Sequence, residues 1–463
     1  MGYFGNPTAV HSPLAGEFDT VQGVAVNSSG AGPADAGDVY VVDQGSNRVQ
    51  RFSALGQFEV MWGRDVIKPN PDVNADLGDV FERCTFALDC KPGSSGSLGG
   101  EFLTPRGVAV DQITGNVYVV DRHNAAAPNG GARVQAFTGD GEFLWALGKD
   151  VTTDGSPSDP GNVVTTQVCT VAADCKAAAV GVAGGEFGAG GTNTSTGGGN
   201  GVAVSPIANG ITGAGNVLVT DRGNRRVQEF TSTGQFVRTF GWDTITDGSP
   251  SDPGNVTTFQ VCAVAADCKA GAAAGTEAGR FGNNAPNRVA VDSTGAIYTV
   301  ENSANFRLQK FTPQVGPPEL VPAVVNPNIG GATTLSGTAN SSTPMDVAVG
   351  ASDHVFVLRA FAAGAGTPPA AVTERRVVEL DNTGALVDTH AALAGVAGAI
   401  DLAVDPATTD VYMSTASPGS GNGEGIYVLG PALAPPTGNS PQAYPQDNSA
   451  RGPRYERTGS GLY

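Results

Sequence analysis

Charge is scarce in this chain, at 15% of 463 residues against the roughly one quarter usual in globular proteins. The basic side is scarcer still: Lys plus Arg number 26, only six of them Lys, against 44 Asp plus Glu. The resulting net charge of -18 would repel a phosphate backbone, which argues against a general nucleic-acid binder. No stretch approaches eighteen apolar residues without an interrupting Gly, Asp or Pro, so no membrane insertion is expected. The first twenty residues, MGYFGNPTAV HSPLAGEFDT, have neither a basic start nor an apolar core, and no secretory leader is visible. Histidine occurs four times, and there is neither a Gly-x-Ser-x-Gly elbow nor a phosphate loop. What abounds is glycine and proline, 66 and 30 residues, a turn-rich composition unsuited to a helical protein.

The six cysteines fall into three pairs with five residues between partners: Cys84 and Cys90, Cys169 and Cys175, Cys262 and Cys268. Each second cysteine sits in Asp-Cys-Lys, ending at Lys91, Lys176 and Lys269, so each pair is a module of its own. Three local disulfides are expected, because a zinc site needs four ligands and no histidine lies within any module. Closing so short a loop contributes about 2 kcal/mol, enough to pin a segment within a long loop. Disulfides imply an oxidising compartment and hence an extracellular or cell-surface location, in tension with the absent leader.

Internal repetition decides the architecture. Gly-Val-Ala-Val opens at Gly23, Gly107 and Gly201 and recurs as Arg-Val-Ala-Val from Arg288, Asp-Val-Ala-Val from Asp346 and Asp-Leu-Ala-Val from Asp401. A second β-branched run follows each, as in Val39-Tyr-Val-Val-Asp43, and then a third, as in Arg48-Val-Gln-Arg-Phe52. Gly-x-Phe and a fourth run close most units. Four short antiparallel strands cannot bury both faces alone, but radial copies can pack sheet on sheet. The expected fold is all-β, a six-bladed β-propeller of four-stranded antiparallel blades. The sixth unit stops after its third strand at Leu429, and Tyr3-Phe4-Gly5 resembles the fourth-strand ends Met61-Trp62-Gly63 and Thr239-Phe240-Gly241. An N-terminal strand is therefore expected to complete the last blade. In the third strand, Val49, Val134 and Val227 are expected on one face and Gln50, Gln135 and Gln228 on the other.

These residues resemble a known family. Gly-Val-Ala-Val-Asp, Val-Tyr-Val-Val-Asp, Gly-x-x-Asn-Arg-Val-Gln and Gly-x-Phe are similar to NHL repeats, from about Gly16 to Gly430 and most closely in the first four units. The resemblance implies a six-bladed propeller. For function it implies little, because that family includes protein-binding, RNA-binding and enzymatic members.

The domain reading is a propeller over 1-430 and a Pro/Gly-rich tail over 431-463. Insertions at 65-100, 150-185 and 243-279 each carry one cysteine module. Ordered insertions of that length either form a rim for a partner or shield blade edges, and both readings stand. The acids and arginines that recur around the second-to-third turn, Asp43 with Arg48, Asp121 with Arg133, Asp221 with Arg226 and Glu301 with Arg307, read as structural pairs, since a ligand site is normally unique. The histidines (His11, His123, His354, His390) occupy dissimilar positions and form no ring. Asp72, Asn74 and Asp76 alternate as in a calcium loop, but Leu77 replaces its turn glycine and Arg83 its last acid, a weak match to a Ca2+ site. Asp154, Asp159, Asp247 and Asp252 offer further oxygen ligands. The expected function is a non-catalytic extracellular binding or scaffolding module for a protein or glycan at a cell surface, with no nucleic acid and no required cofactor. The alternative is a metal-dependent lyase or lactonase working in the central channel.

Overall fold

In a computed structural model of the chain, strands form six sheets. The structure describes residues 2–5, 14–69, 78–122, 132–188, 201–206, 213–283, 285–302, 305–314, 320–326, 342–362, 372–389, 399–415, 425–430 and 442–443. The Val-Ala-Val runs form the innermost strands: Val21–Asn27, Pro105–Val110, Val202–Val204, Arg288–Val291, Ser342–Val349 and Ala399–Val404. Each touches the next in chain order, and the last returns to the first, so they ring a central axis. Small residues allow this crowding. A Cβ on Gly23 would sit 2.5 Å from the Arg106 carbonyl oxygen, and one on Gly201 2.7 Å from the Cα of Arg288. Six apolar clusters fill the gaps between neighbouring blades. Between blades one and two, for example, Tyr40, Trp62 and Val49 meet Val110, Val119 and Phe137.

The all-β six-bladed propeller is thus present, but the expected four strands per blade must be corrected. Blades four and five hold four strands, whereas blades one, two, three and six hold five. In the first three the extra strand comes from the cysteine insertion: Phe81–Cys84, Thr166–Cys169 and Phe259–Cys262 pair outside Phe58–Arg64, Phe143–Lys149 and Phe236–Trp242. The first cysteine of each module lies opposite Met61, Ala146 or Thr239, and the second bridges back to Ile67, Thr152 or Ile245. Each disulfide (84–90, 169–175, 262–268) therefore ties the added strand to the segment leaving the fourth. The motif lysine completes the fastening, with Nζ of Lys91, Lys176 and Lys269 at 2.6, 2.7 and 2.8 Å from a carboxylate oxygen of Asp65, Asp150 and Asp243. Consecutive insertions interlock, since Gly99 and Gly184 donate their N–H groups to the carbonyls of Ala172 and Ala265 at 2.9 and 2.8 Å. The insertions cover otherwise open blade edges, a known hazard of exposed strands.

In blade six, Gly2–Gly5 pairs antiparallel with Gly425–Leu429, from Gly2 opposite Val428 to Gly5 opposite Gly425. Chain start and last blade therefore close the ring. A fifth strand, Gln442–Ala443, lies parallel to Gly2–Gly5.

Candidate site at the mouth of the axial channel

The recurring acid–arginine pairs sit where the second strand of a blade ends and the third begins. Nε of Arg48, Arg133, Arg226 and Arg307 lies 2.9, 3.1, 2.9 and 2.6 Å from a carboxylate oxygen of Asp43, Asp121, Asp221 and Glu301, all of them buried. The other guanidinium donors reach carbonyls of the segment entering the same blade: Nη2 donates to Glu17, Glu101 and Glu186 at 2.9, 2.7 and 2.7 Å and, in blade four, to Arg280. Gln50, Gln135, Gln228 and Gln309 are buried beside them, accepting from the N–H of Gly16, Gly100, Gly185 and Gly279 at 3.0, 2.9, 2.8 and 2.7 Å. The Arg and Gln of the third strand thus clamp the incoming connection in blades one to four.

Blade five departs from this plan. Arg359 stands where the acid should, directly opposite Arg376 in the register, and burial followed by the Arg376 charge pushes its guanidinium down to about 10.

A second group of arginines lines the channel mouth, where innermost strands begin and second strands end. Arg106 is the second residue of the innermost strand of blade two, and Arg288 opens that of blade four. Arg122 and Arg222 directly follow the paired acids Asp121 and Asp221. Arg106 feels the charges of Arg122, Arg288 and Arg222, all of its own sign; burial, then this repulsion, pushes it down to about 10. Burial and the charges of Arg122 and Arg288 push Arg222 down to about 10 as well, and burial lowers Arg122. Nη1 of Arg106 donates to Gln22 Oε1 at 3.0 Å, while its Nε is buried without a hydrogen bond.

Beside the arginines lie two buried carboxyls at matching positions of blades five and six. Asp346 Oδ2 accepts from Leu402 N–H at 2.6 Å, and Asp401 Oδ2 from Val24 N–H at 2.8 Å, each carboxyl tying its blade to the next. Arg288 faces both: Nη2 is 2.7 Å from Asp401 Oδ1 and Nε 3.4 Å from Asp346 Oδ1. The two carboxyls stand close enough for each to act on the titration of the other. Burial and then the Asp401 charge hold Asp346 well above the usual carboxylate range, while burial raises Asp401 against the pull of Arg288. Burial of two neighbouring acids thus favours the protonated form of the pair.

The donor set does not fit a resident metal ion. Among the described residues no three His, Cys, Asp or Glu side chains converge, and the two channel carboxyls are engaged by Arg288 and backbone N–H groups. Of the histidines only His354 is described, with Nδ1 2.5 Å from Glu379 Oε1. The calcium candidates Asp72, Asn74 and Asp76 lie outside the described residues. Asp159 and Asp252 cap their own loops, accepting from Val163 and Val256 N–H at 2.9 Å and from Gln167 and Gln260 at 2.6 and 2.8 Å. Asp154 and Asp247 hold Lys176 and Lys269 at 2.8 and 2.6 Å.

Sequence reasoning missed the arginine cluster because net charge was weighed over the whole chain. Its signal was a break in the repeat. Where blade two carries Arg106, blades one and four carry Gln22 and Asn287; where blades two and three carry Arg122 and Arg222, blades one and four carry Gln44 and Asn302.

No protein-family profile matches the chain, and no characterised protein matches it by sequence. Several solved structures resemble it in shape. Virginiamycin B lyase from Staphylococcus aureus is 10% identical, with 87% of this chain and 80% of that one covered and a TM-score of 0.37. The PQQ-bound aldose sugar dehydrogenase from Streptomyces coelicolor is 12% identical, with 91% and 97% covered and a TM-score of 0.38. A calcium-binding regucalcin from Agrobacterium tumefaciens is 10% identical, with 91% and 93% covered and a TM-score of 0.38. Likenesses this distant identify no reaction and do not select the NHL family. A lyase and a dehydrogenase stand among these structures, so the expected non-catalytic role finds no support in them. No helix among the described residues is long and apolar enough to cross a membrane.

Proposed function

We propose that the protein is an enzyme working at the mouth of the axial channel, of the lyase or lactonase class, with Asp346 and Asp401 as its proton-handling pair. The supporting observation is this pair of buried carboxyls, both facing Arg288 beside a cationic cluster. A carboxyl kept protonated near neutral pH can donate to a leaving or carbonyl oxygen, and its ionised partner can take a proton from carbon or water. Arg288, fixed by both carboxyls, orients them and offsets negative charge that develops beside them. No step is routed through a metal.

The measurement is turnover of a panel of lactones, esters and β-elimination substrates. Asp346→Asn keeps the volume of the side chain but cannot deliver the proton, so kcat should fall about 100-fold or more with the fold retained. A folded Asp346→Asn protein with unchanged kcat would remove this assignment. We place the protein outside the reducing cytosol on the strength of its three disulfides; six titratable thiols in natively isolated protein would contradict that. A partner, protein or glycan, would meet the insertions, whose equivalent tip residues Phe86, Val171 and Val264 are 45%, 49% and 52% exposed. Replacing all three by Ser should abolish any such association and leave turnover intact.

A further inference from the structure

The geometry points to a receptor for a small oxyanion, a carboxylate or phosphate group of the substrate, formed at the channel mouth by Arg106, Arg122, Arg222 and Arg288. It rests on the channel mouth being the working site, and it names what that site holds.

Arg106 carries the inference. Arg106 is half-buried with its Nε sealed from water, and a guanidinium withdrawn from water is ordinarily paired, because desolvation is expensive. In the clamps of blades one to four the rule is kept: Arg48, Arg133, Arg226 and Arg307 each face an acid at hydrogen-bond distance. Arg238 faces Glu229 at 2.7 Å, and Arg51 faces Glu59 at 2.9 Å. Around Arg106 the nearby charges are instead three more guanidiniums, and its Nε is buried with no acceptor. Gln22 supplies a neutral oxygen to Nη1 and leaves the charge uncompensated. Blades one and four place amides at the equivalent positions, so the fold does not require arginine there.

A bound oxyanion resolves both anomalies. It accepts from the open edge of a planar fork, and its charge offsets the cationic surroundings of Arg106. The guest must be small. Neighbouring innermost strands approach so closely that Gly23 and Gly201 admit no side chain. The surrounding protein carries -18 overall and repels a long polyanion.

Calorimetry on the full chain, with inorganic phosphate and succinate as probes at fixed ionic strength, tests this. Saturable binding of at least one probe is expected. Arg106→Gln and Arg222→Gln should each weaken it about tenfold or more, while Arg83→Gln, a surface arginine paired with Glu142, leaves it within about twofold. Because Arg106 is surrounded by like charges, Arg106→Gln should melt no lower than the parent, which separates lost binding from lost folding. No saturable binding of either probe up to about 10 mM, unchanged affinity in both arginine variants, or binding of heparin in place of the small probes would overturn the receptor. Phosphate binding without turnover would leave the receptor standing and defeat the enzymatic reading; turnover of neutral substrates with no anion binding would do the reverse.

Discussion

The first three blades and the fifth solve the same folding problem with opposite electrostatics. In blades one to three a buried acid faces a buried arginine across the second and third strands, the arginine holds the incoming segment, and a stapled insertion covers the outer edge. In blade five an arginine replaces the acid, no cysteine module is present, and the sheet stops at four strands. Arg375 beside it donates Nε to the Ala399 carbonyl at 2.8 Å, and its Nη1 is buried with no hydrogen bond. The half with complete clamps is built for stability, whereas surplus positive charge gathers where the repeat is broken, at blade five and at the channel mouth.

The largest effect expected from breaking this contrast is at a complete clamp. Arg226→Ala strands Asp221 and empties five hydrogen bonds, to Asp221, Val182, Lys269, Ala183 and Glu186. Chemical denaturation should show a loss of about 3–5 kcal/mol; a loss below about 1 kcal/mol would mean that the clamp is not what holds the blade. Next comes the staple. Replacing Cys169 and Cys175 by Ala should cost about 2 kcal/mol and loosen hydrogen-exchange protection over Thr166–Cys169 before the inner strands. Uniform loss of protection across blade two would instead make the insertion part of one cooperative unit.

Restoring the repeat acid in blade five sharpens the contrast from the other side. Arg359→Asp should raise stability by about 1 kcal/mol through Arg376, seen as a higher melting temperature; a lower one would show that blade five needs its arginine. The smallest effect concerns pH. Asp38 is pushed up to about 7, first by burial and then by the Glu59 charge. A carboxyl whose pKa is raised on folding stabilises below its unfolded pKa, and that stability is lost as pH rises towards 7. Asp38→Asn should therefore flatten the decline between about pH 4 and pH 7, and an unchanged slope would place the titration elsewhere.

Much of the fold was legible because its signals are local and repeated six times. Val-Ala-Val, Val-Tyr-Val-Val-Asp and Arg-Val-Gln each report strand, turn and burial within a few residues, and Tyr3-Phe4-Gly5 resembled a fourth strand closely enough to anticipate its partner. The cysteine spacing located the modules but hid their role: whether Cys84 belongs to a rim or ends a fifth strand depends on the edge offered by Phe58–Arg64. Alternation set Gln50 and its counterparts on the face opposite Val49 but did not report their burial, because both sheet faces are covered in a propeller and the amides serve backbone groups from a distant segment.

Sequence alone determined the number of blades, the local cysteine pairs and the repeating acid–arginine plan, since each is written within a single repeat. Tertiary structure decided the strand count and the candidate site. Arg106, Arg122, Arg222 and Arg288 come from three blades and lie up to 182 positions apart in the chain, with no shared motif. Only closure of the ring brings their charges together, and only burial gives that proximity its energetic weight.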